Sequence, residues 1–246
     1  MDYTEKINRL ANLIKDSSCT LALTGAGIST ESGIPDFRSP GGLWTKTNPM
    51  ETASVFALKQ DPAAFYKTNL MSWTGFTEKE PNPAHYALAK LEEKGLLTGV
   101  ITQNIDGLHR KAGSKQLWEV HGHLRTCSCM YCKKRYPIDF LVNQFNEGIN
   151  PPLCEACSGV LRLDVVLFGD DLGGDFGGAV LAMHRCSLLL VVGSSLTVYP
   201  VAELPDMAPQ LAIVNKESTA WDNKAEVVVN DTAGRVLTDV LTALGK

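Results

Sequence analysis

Four cysteines in two Cys-x-x-Cys pairs, Cys129/Cys132 and Cys154/Cys157, carry the sharpest chemical signal in this chain, with residues 133–153 between the pairs. Thiolates in two such knuckles make a closed tetrahedral set that suits zinc. A closed set leaves no position for water, so the expected role is structural. Cys127 lies near enough to compete as a ligand but reads better as a bystander thiol near the metal, while Cys19 and Cys186 border apolar runs and read as small core residues. A second signal is the turn Thr24-Gly25-Ala26-Gly27 after the apolar run Cys19–Leu23. Backbone N–H groups in a tight glycine turn can cradle a phosphate without any side-chain charge. The dinucleotide fingerprint is incomplete, because Thr30 stands where its third glycine belongs. A phosphate cradle and a plain turn therefore both stand.

Four polar clusters follow other short apolar runs: Gln103-Asn104-Ile105-Asp106, His121-Gly122, Gly193-Ser194-Ser195 and Asn215-Lys216-Glu217. Each alone reads as well as a cap, a turn or a structural histidine. Together with the glycine turn they converge on one sheet edge, where open α/β sheets collect ligands, and this favours a nucleotide site.

The elements that must position these residues are legible from pattern. Ile7, Leu10, Ala11 and Ile14 recur at helical spacing, and Asn82-Pro83 opens a second helix that Gly95 stops. Runs at Gly99–Thr102, Leu117–Val120, Asp164–Phe168, Ser187–Val192, Leu211–Val214 and Glu226–Val229 are mostly apolar throughout. Strands without alternation are covered on both faces, which predicts a parallel α/β sheet. Val236, Leu237, Val240 and Leu241 make the stripe of a last helix. Two stretches break the rhythm: the long span before Asn82, and Gly122–Leu163, which is rich in Cys, Lys, Arg and Pro and offers no strong strand. Both read as insertions forming a lobe beside the sheet.

With 246 residues, 44% of them hydrophobic, the chain can bury a core and is not disordered. Its 23 Lys+Arg against 27 Asp+Glu leave a net charge of −4, which argues against a nucleic-acid binder. No run of about 18 apolar residues predicts a membrane span. The start Met1-Asp2-Tyr3-Thr4-Glu5 lacks a signal-peptide pattern, so a cytoplasmic location is expected.

Taken in order, Gly25-Ala26-Gly27-Ile28-Ser29 through Gly33-Ile34-Pro35-Asp36-Phe37-Arg38, Gln103-Asn104-Ile105-Asp106, His121-Gly122, the two knuckles, Phe168-Gly169, Gly193-Ser194-Ser195 and Val214-Asn215 resemble the sirtuins, bacterial-like members included. These are Sir2-type NAD-dependent protein lysine deacylases, and the resemblance covers essentially the whole chain. One departure is Asp170-Asp171-Leu172-Gly173-Gly174, where sirtuins commonly carry an acidic residue and later a proline.

The resemblance implies an α/β fold: a parallel Rossmann-like NAD-binding sheet with helices on both faces, formed by residues 1–40, 76–121 and 164–246. A smaller lobe would hold a helical insertion, 41–75, and a zinc-binding module, 122–163. NAD would be consumed as co-substrate. Gly25, Ala26 and Gly27, with Ser29 in the same motif, would approach its pyrophosphate. Ser194 and Ser195 would lie near phosphate and ribose, Asn215, Lys216 and Glu217 at the adenosine end, and Ala233 near the adenine, with Gln103 and Gly193 also in the cofactor-binding set. Phe37, Arg38 and Trp44 would belong to a mobile loop closing over the nicotinamide ribose, and Asp36 would also bind the cofactor. Asp106 would bind the nicotinamide amide, Ile105 would meet the ring and Asn104 would order ribose and water.

By the same resemblance the acyl-lysine oxygen attacks the anomeric carbon, nicotinamide leaves, and His121 acts as general base. The products would be deacylated lysine, nicotinamide and O-acetyl-ADP-ribose. A peptide would pair beside Val166, Phe168 and Gly169 and the segment around Val198. Tyr66 and Asn69 stand where relatives that favour acidic acyl groups carry Tyr and Arg, so weak activity on succinyl- or malonyl-lysine is expected. The alternative on the same scaffold is mono-ADP-ribosyl transfer to protein. The expected partner is an acyl-lysine protein or peptide, with no specific nucleic acid, no membrane and a monomeric state.

Overall fold

The computed structural model describes residues 1–36, 42 and 48–245, and of Pro49 only the backbone. Its strands are β1 (Thr20–Thr24), β2 (Gly99–Thr102), β3 (Leu117–Glu119), β4 (Gly122–Cys129), β5 (Arg135–Pro137), β6 (Leu161–Val165), β7 (Leu188–Val192), β8 (Gln210–Val214) and β9 (Val227–Val229). Its helices are α1 (Tyr3–Asp16), α2 (Pro49–Thr52), α3 (Val55–Gln60), α4 (Pro62–Thr77), α5 (Pro83–Glu93), α6 (Leu108–Ala112), α7 (Ile138–Asn146), α8 (Gly174–Met183) and α9 (Ala233–Ala243).

Six strands form one parallel sheet in the order β3-β2-β1-β7-β8-β9. The chain builds outward from β1 in one direction, then returns to β7 and builds in the other. The reversal leaves a crevice between the carboxyl ends of β1 and β7, the usual ligand position of such sheets. β1, β2 and β7 are buried at every position, as runs without alternation require. Alternate side chains divide between two cores. Ala22, Val100, Leu190 and Ala212 pack against α1, α5 and α9 on one face. Leu21, Leu23, Leu189 and Ile213 pack against α8 and the 3-10 turns of Val201–Met207 on the other. α5 begins as its sequence demands: Asn82 accepts from the Ala84 N–H, Pro83 follows, and Gly95 takes a left-handed conformation after the end.

The second lobe differs from the sequence reading in two respects. Gly122–Leu163 contains strands: β4 pairs antiparallel with β5 and β6 in a separate three-stranded sheet. The strand expected at Asp164–Phe168 lies instead at Leu161–Val165, within this small sheet. β4 buries only Leu124, Cys127 and Cys129, and β6 alternates, so neither shows the continuous apolar run of a covered strand. Between β1 and α5 lie the helices α2, α3 and α4. Leu58, Phe65, Tyr66, Leu70 and Trp73 share one core with Leu124, Leu161, Leu163 and Val165 of the small sheet.

Candidate functional site

Four of the predicted clusters directly follow the last residue of a parallel strand and His121 lies two residues past β3, so strand geometry delivers them to one edge. Gly25 follows β1, Gln103 follows β2, Gly193 follows β7 and Asn215 follows β8. There the glycine turn docks on Gly193: the Gly27 N–H donates to the Gly193 carbonyl at 2.8 Å and the Gly25 N–H to the Val192 carbonyl at 3.2 Å. The approach is too close for a side chain, since a Cβ on Gly27 would lie 2.7 Å from the Gly193 oxygen, and Gly193 itself has a φ of +62°. The turn opens a 3-10 helix, Ala26–Ser32, without any side-chain cap on its first N–H groups. Such a backbone turn, walled by glycines at the start of a helix, fits a pyrophosphate.

A cavity of about 770 Å³ runs along this edge. Gly25, Ala26, Gly27, Asp36, Gln103, Asn104, Ile105 and His121 line it, as do Gly193, Ser194, Ser195, Asn215, Lys216, Glu217 and Ala233. Val166, Phe168, Gly169 and Val198 line it too, together with Asn69. Phe37, Arg38 and Trp44 lie outside the described residues.

His121 sits between the two lobes. Its Nδ1 lies 3.1 Å from the Gln103 carbonyl, which can only accept, so the proton resides on Nδ1 and Nε2 is the basic nitrogen. Burial pushes its pKa below the ordinary value, although the bond to Gln103 opposes this. Asn104 is buried, and both protons of its amide are committed, to the Gly25 carbonyl and the Ser29 hydroxyl at 3.1 Å each. Its Oδ1 is left to accept. Gln103 Nε2 donates to the Ser194 hydroxyl at 2.8 Å, tying the ends of β2 and β7 together.

Ser29 and Asp106 do not line the cavity. Asp106 turns inward because two donors hold it there: the Ser29 hydroxyl at 2.7 Å and the Leu108 N–H at 2.9 Å. Burial drives its pKa up, against those two hydrogen bonds. Tyr66 is a clearer correction. It is fully buried in the core of the small lobe, with its hydroxyl donating to the Leu161 carbonyl at 2.6 Å. Helical spacing puts Tyr66 and Asn69 on neighbouring positions, but the large ring is drawn to the apolar interior. Asn69 reaches the cavity wall with Nδ2 bonded to the Thr52 and Phe65 carbonyls at 2.7 and 2.9 Å.

Sequence reasoning missed Ser72 and Trp73, which line the cavity from α4, and Asp170. The spacing Asn69, Ser72, Trp73 is that of one helix face and could have revealed the first two. It also missed Glu119, which is buried and receives both guanidinium nitrogens of Arg125, at 2.7 and 2.5 Å, two residues before His121.

The four knuckle cysteines form a second centre, with their sulfurs all within 4.8 Å of one another. Cys129 and Cys157 Sγ lie 3.5 Å apart, and Cys132 and Cys154 Sγ 3.6 Å. A tetrahedron of Zn–S bonds near 2.3 Å has sulfur–sulfur edges of about 3.8 Å, so the cluster fits that ion. Cys129 Sγ accepts from the Tyr131 and Cys132 N–H groups, and the Tyr136 hydroxyl lies 3.0 Å from Cys154 Sγ. That hydroxyl pulls the Cys154 thiol below its ordinary value, as a thiolate ligand needs. Cys127 stands apart, fully buried, its thiol pushed up to about 12 by burial. Cys127→Ser should therefore leave the zinc content unchanged, which elemental analysis of the purified variant checks. Cys186 is a core residue as expected, whereas Cys19 is only partly buried.

A family model described as the Sir2 family matches residues 25–200. NAD-dependent protein deacetylase 2 of Caldanaerobacter subterraneus subsp. tengcongensis is 46% identical over 241 residues, covering 98% of this chain and 96% of that one. Two solved structures superpose over 96% of this chain and 98% of theirs. A Sir2 with p53 peptide and NAD+ is 37% identical with a TM-score of 0.90. A Sir2 variant with deacetylated p53 peptide and 3′-O-acetyl ADP ribose is 38% identical with a TM-score of 0.92.

Proposed function

The chain belongs to the Sir2 family and is an NAD-dependent protein deacetylase, and we propose that His121 is its general base. The observation that carries this assignment is His121 itself, on the cavity wall with Nδ1–H anchored to the Gln103 carbonyl and Nε2 left basic. NAD supplies an anomeric carbon with nicotinamide as leaving group. The glycine turn and Gly193-Ser194-Ser195 hold the pyrophosphate and adjoining ribose, and Asn215, Lys216 and Glu217 flank the adenosine. Asn104 offers Oδ1 to a ribose hydroxyl. Asp106, through Ser29 and Leu108, holds the Asn104–Ile105 turn that lines the cavity. His121 takes a proton from the ribose hydroxyls through Nε2. Val166, Phe168, Gly169 and Val198 receive the acyl-lysine peptide. Thiolate zinc ligands suit a reducing compartment, and we place the enzyme in the cytoplasm as a monomer.

Incubation of an acetyl-lysine peptide with NAD, read by mass spectrometry, tests this function. Equimolar nicotinamide, O-acetyl-ADP-ribose and free lysine are the expected products. ADP-ribosylated protein without deacetylation would overturn it in favour of ADP-ribosyl transfer.

Acyl selectivity follows from α4. The Tyr66 hydroxyl and both Asn69 amide protons are already engaged, and Lys216, beyond β8, is the cation among the described cavity residues. An acyl carboxylate therefore meets no guanidinium fork on this helix. We expect kcat/KM for succinyl-lysine about 10–100-fold below that for acetyl-lysine in one peptide. Equal or better succinyl turnover would defeat the expectation.

A further inference from the structure

The substrate-side segment after β6 is held from three directions. The Val166 N–H donates to the His121 carbonyl at 2.8 Å. Phe168 is gripped from the helical insertion, its N–H donating to the Ala53 carbonyl at 3.1 Å and its carbonyl accepting from Val55 at 2.9 Å. The third hold is Asp170. Its N–H donates to the Leu167 carbonyl at 3.0 Å, and its carboxylate accepts the Leu167 N–H at 2.9 Å, closing the turn. The same carboxylate receives a guanidinium fork from Arg162 in β6, at 2.7 and 3.2 Å. Arg162 Nη2 also donates to the Val165 carbonyl at 2.9 Å, so one side chain spans the strand end and the far side of the turn. The pair is largely withdrawn from solvent, with side-chain exposures of 23% for Arg162 and 18% for Asp170. Although burial pushes the Asp170 pKa up, Arg162 and Leu167 bring it below the ordinary carboxylate value, and the pair stays ionised.

We propose that the Arg162–Asp170 ion pair is a positioning device for substrate: it keeps residues 166–169 preformed as the edge on which the acyl-lysine peptide pairs. The inference rests on the reading of that segment as the peptide's partner. Without the pair, this glycine-containing turn, followed by Gly173-Gly174, must be ordered each time a peptide binds, and that ordering entropy is subtracted from affinity. Neither residue belongs to the glycine turn, Asn104 or His121, so the loss falls on peptide binding and leaves the chemical step alone.

Steady-state kinetics of the full, zinc-loaded chain test the proposal, with an acetyl-lysine peptide and NAD varied in turn. Asp170→Asn keeps an oxygen for the Leu167 N–H but removes the charge. It should raise the peptide KM about tenfold while kcat and the NAD KM stay within about twofold. Arg162→Lys, which retains charge without the fork, should shift the peptide KM in the same direction. Asp170→Glu should restore most of the affinity. Asp171→Asn, an equal charge change at the exposed neighbour, should alter nothing. An unchanged peptide KM in both Asp170→Asn and Arg162→Lys would overturn the clamp, as would a fall in kcat in place of a rise in KM, or an equal effect of Asp171→Asn. If the unaltered chain fails to deacetylate the peptide at all, the reading of the site falls and the proposal with it.

Discussion

Replacing His121 with alanine should lower kcat on an acetyl-lysine peptide by about 10²–10⁴-fold while leaving NAD affinity within a few-fold. The split follows from position. His121 stands at the end of β3 beside the acyl-peptide segment, whereas the phosphate cradle is built at Gly25–Gly27 and Gly193. The alanine loses the basic Nε2 and spares every backbone donor of the turn. The same assignment sets a pH dependence. Burial lowers the His121 pKa below 6.5, so its neutral, basic form persists to lower pH than an ordinary histidine allows. The kcat/KM profile should fall as pH drops through that lowered value and should be flat from about pH 7 upward until another group titrates. Near-normal turnover by His121→Ala, or an acid limb centred above pH 7, would sink the assignment.

Removing the zinc should abolish activity through structure rather than chemistry. The four thiolates form a closed set, so the ion cannot hold a water or meet substrate. Its contribution is to folding: apparent zinc affinities of such knuckles amount to about 10–16 kcal/mol at neutral pH. The small sheet has little packing to set against that, since β4 and β6 bury three side chains each and β5 only Tyr136. Chelation, or Cys129→Ala, should therefore melt β4–β6 and release the 166–170 segment that β6 leads into. Circular dichroism and proteolysis would report the melting, and the activity loss should track it. Fewer than about half an equivalent of zinc in active, folded protein would refute the premise.

Much of this site is legible in the sequence, for reasons that are local. A glycine turn after an apolar run, polar residues at strand ends and paired Cys-x-x-Cys knuckles are all set by neighbours within a few positions. α5 shows the same economy, its cap, proline and terminating glycine being contiguous with the helix they bound. What pattern alone misjudged was the small sheet. β4 and β6 bury alternate or scattered positions, and they are held by pairing with each other, by the core they share with α4 and by the cysteine cluster, not by an apolar run.

By itself, the sequence determined a parallel sheet covered on both faces, the edge where its polar clusters meet, and a four-thiolate metal site. The apolar runs of the strands and fixed ligand spacing are properties of short segments, and they survive without knowledge of partners. Tertiary structure alone decided where individual side chains spend their polar atoms. Tyr66 and Asn69 lie three apart on one helix, yet the ring is claimed by the core and the Leu161 carbonyl while the amide stays at the cavity wall. Asp106 turns away from the cavity toward Ser29, across 77 residues of sequence, and Asp170 finds its guanidinium on a strand that pattern had displaced. Each of these choices sets desolvation against one hydrogen bond to a distant partner, and that balance exists only once the chain has brought the partner within about 3 Å.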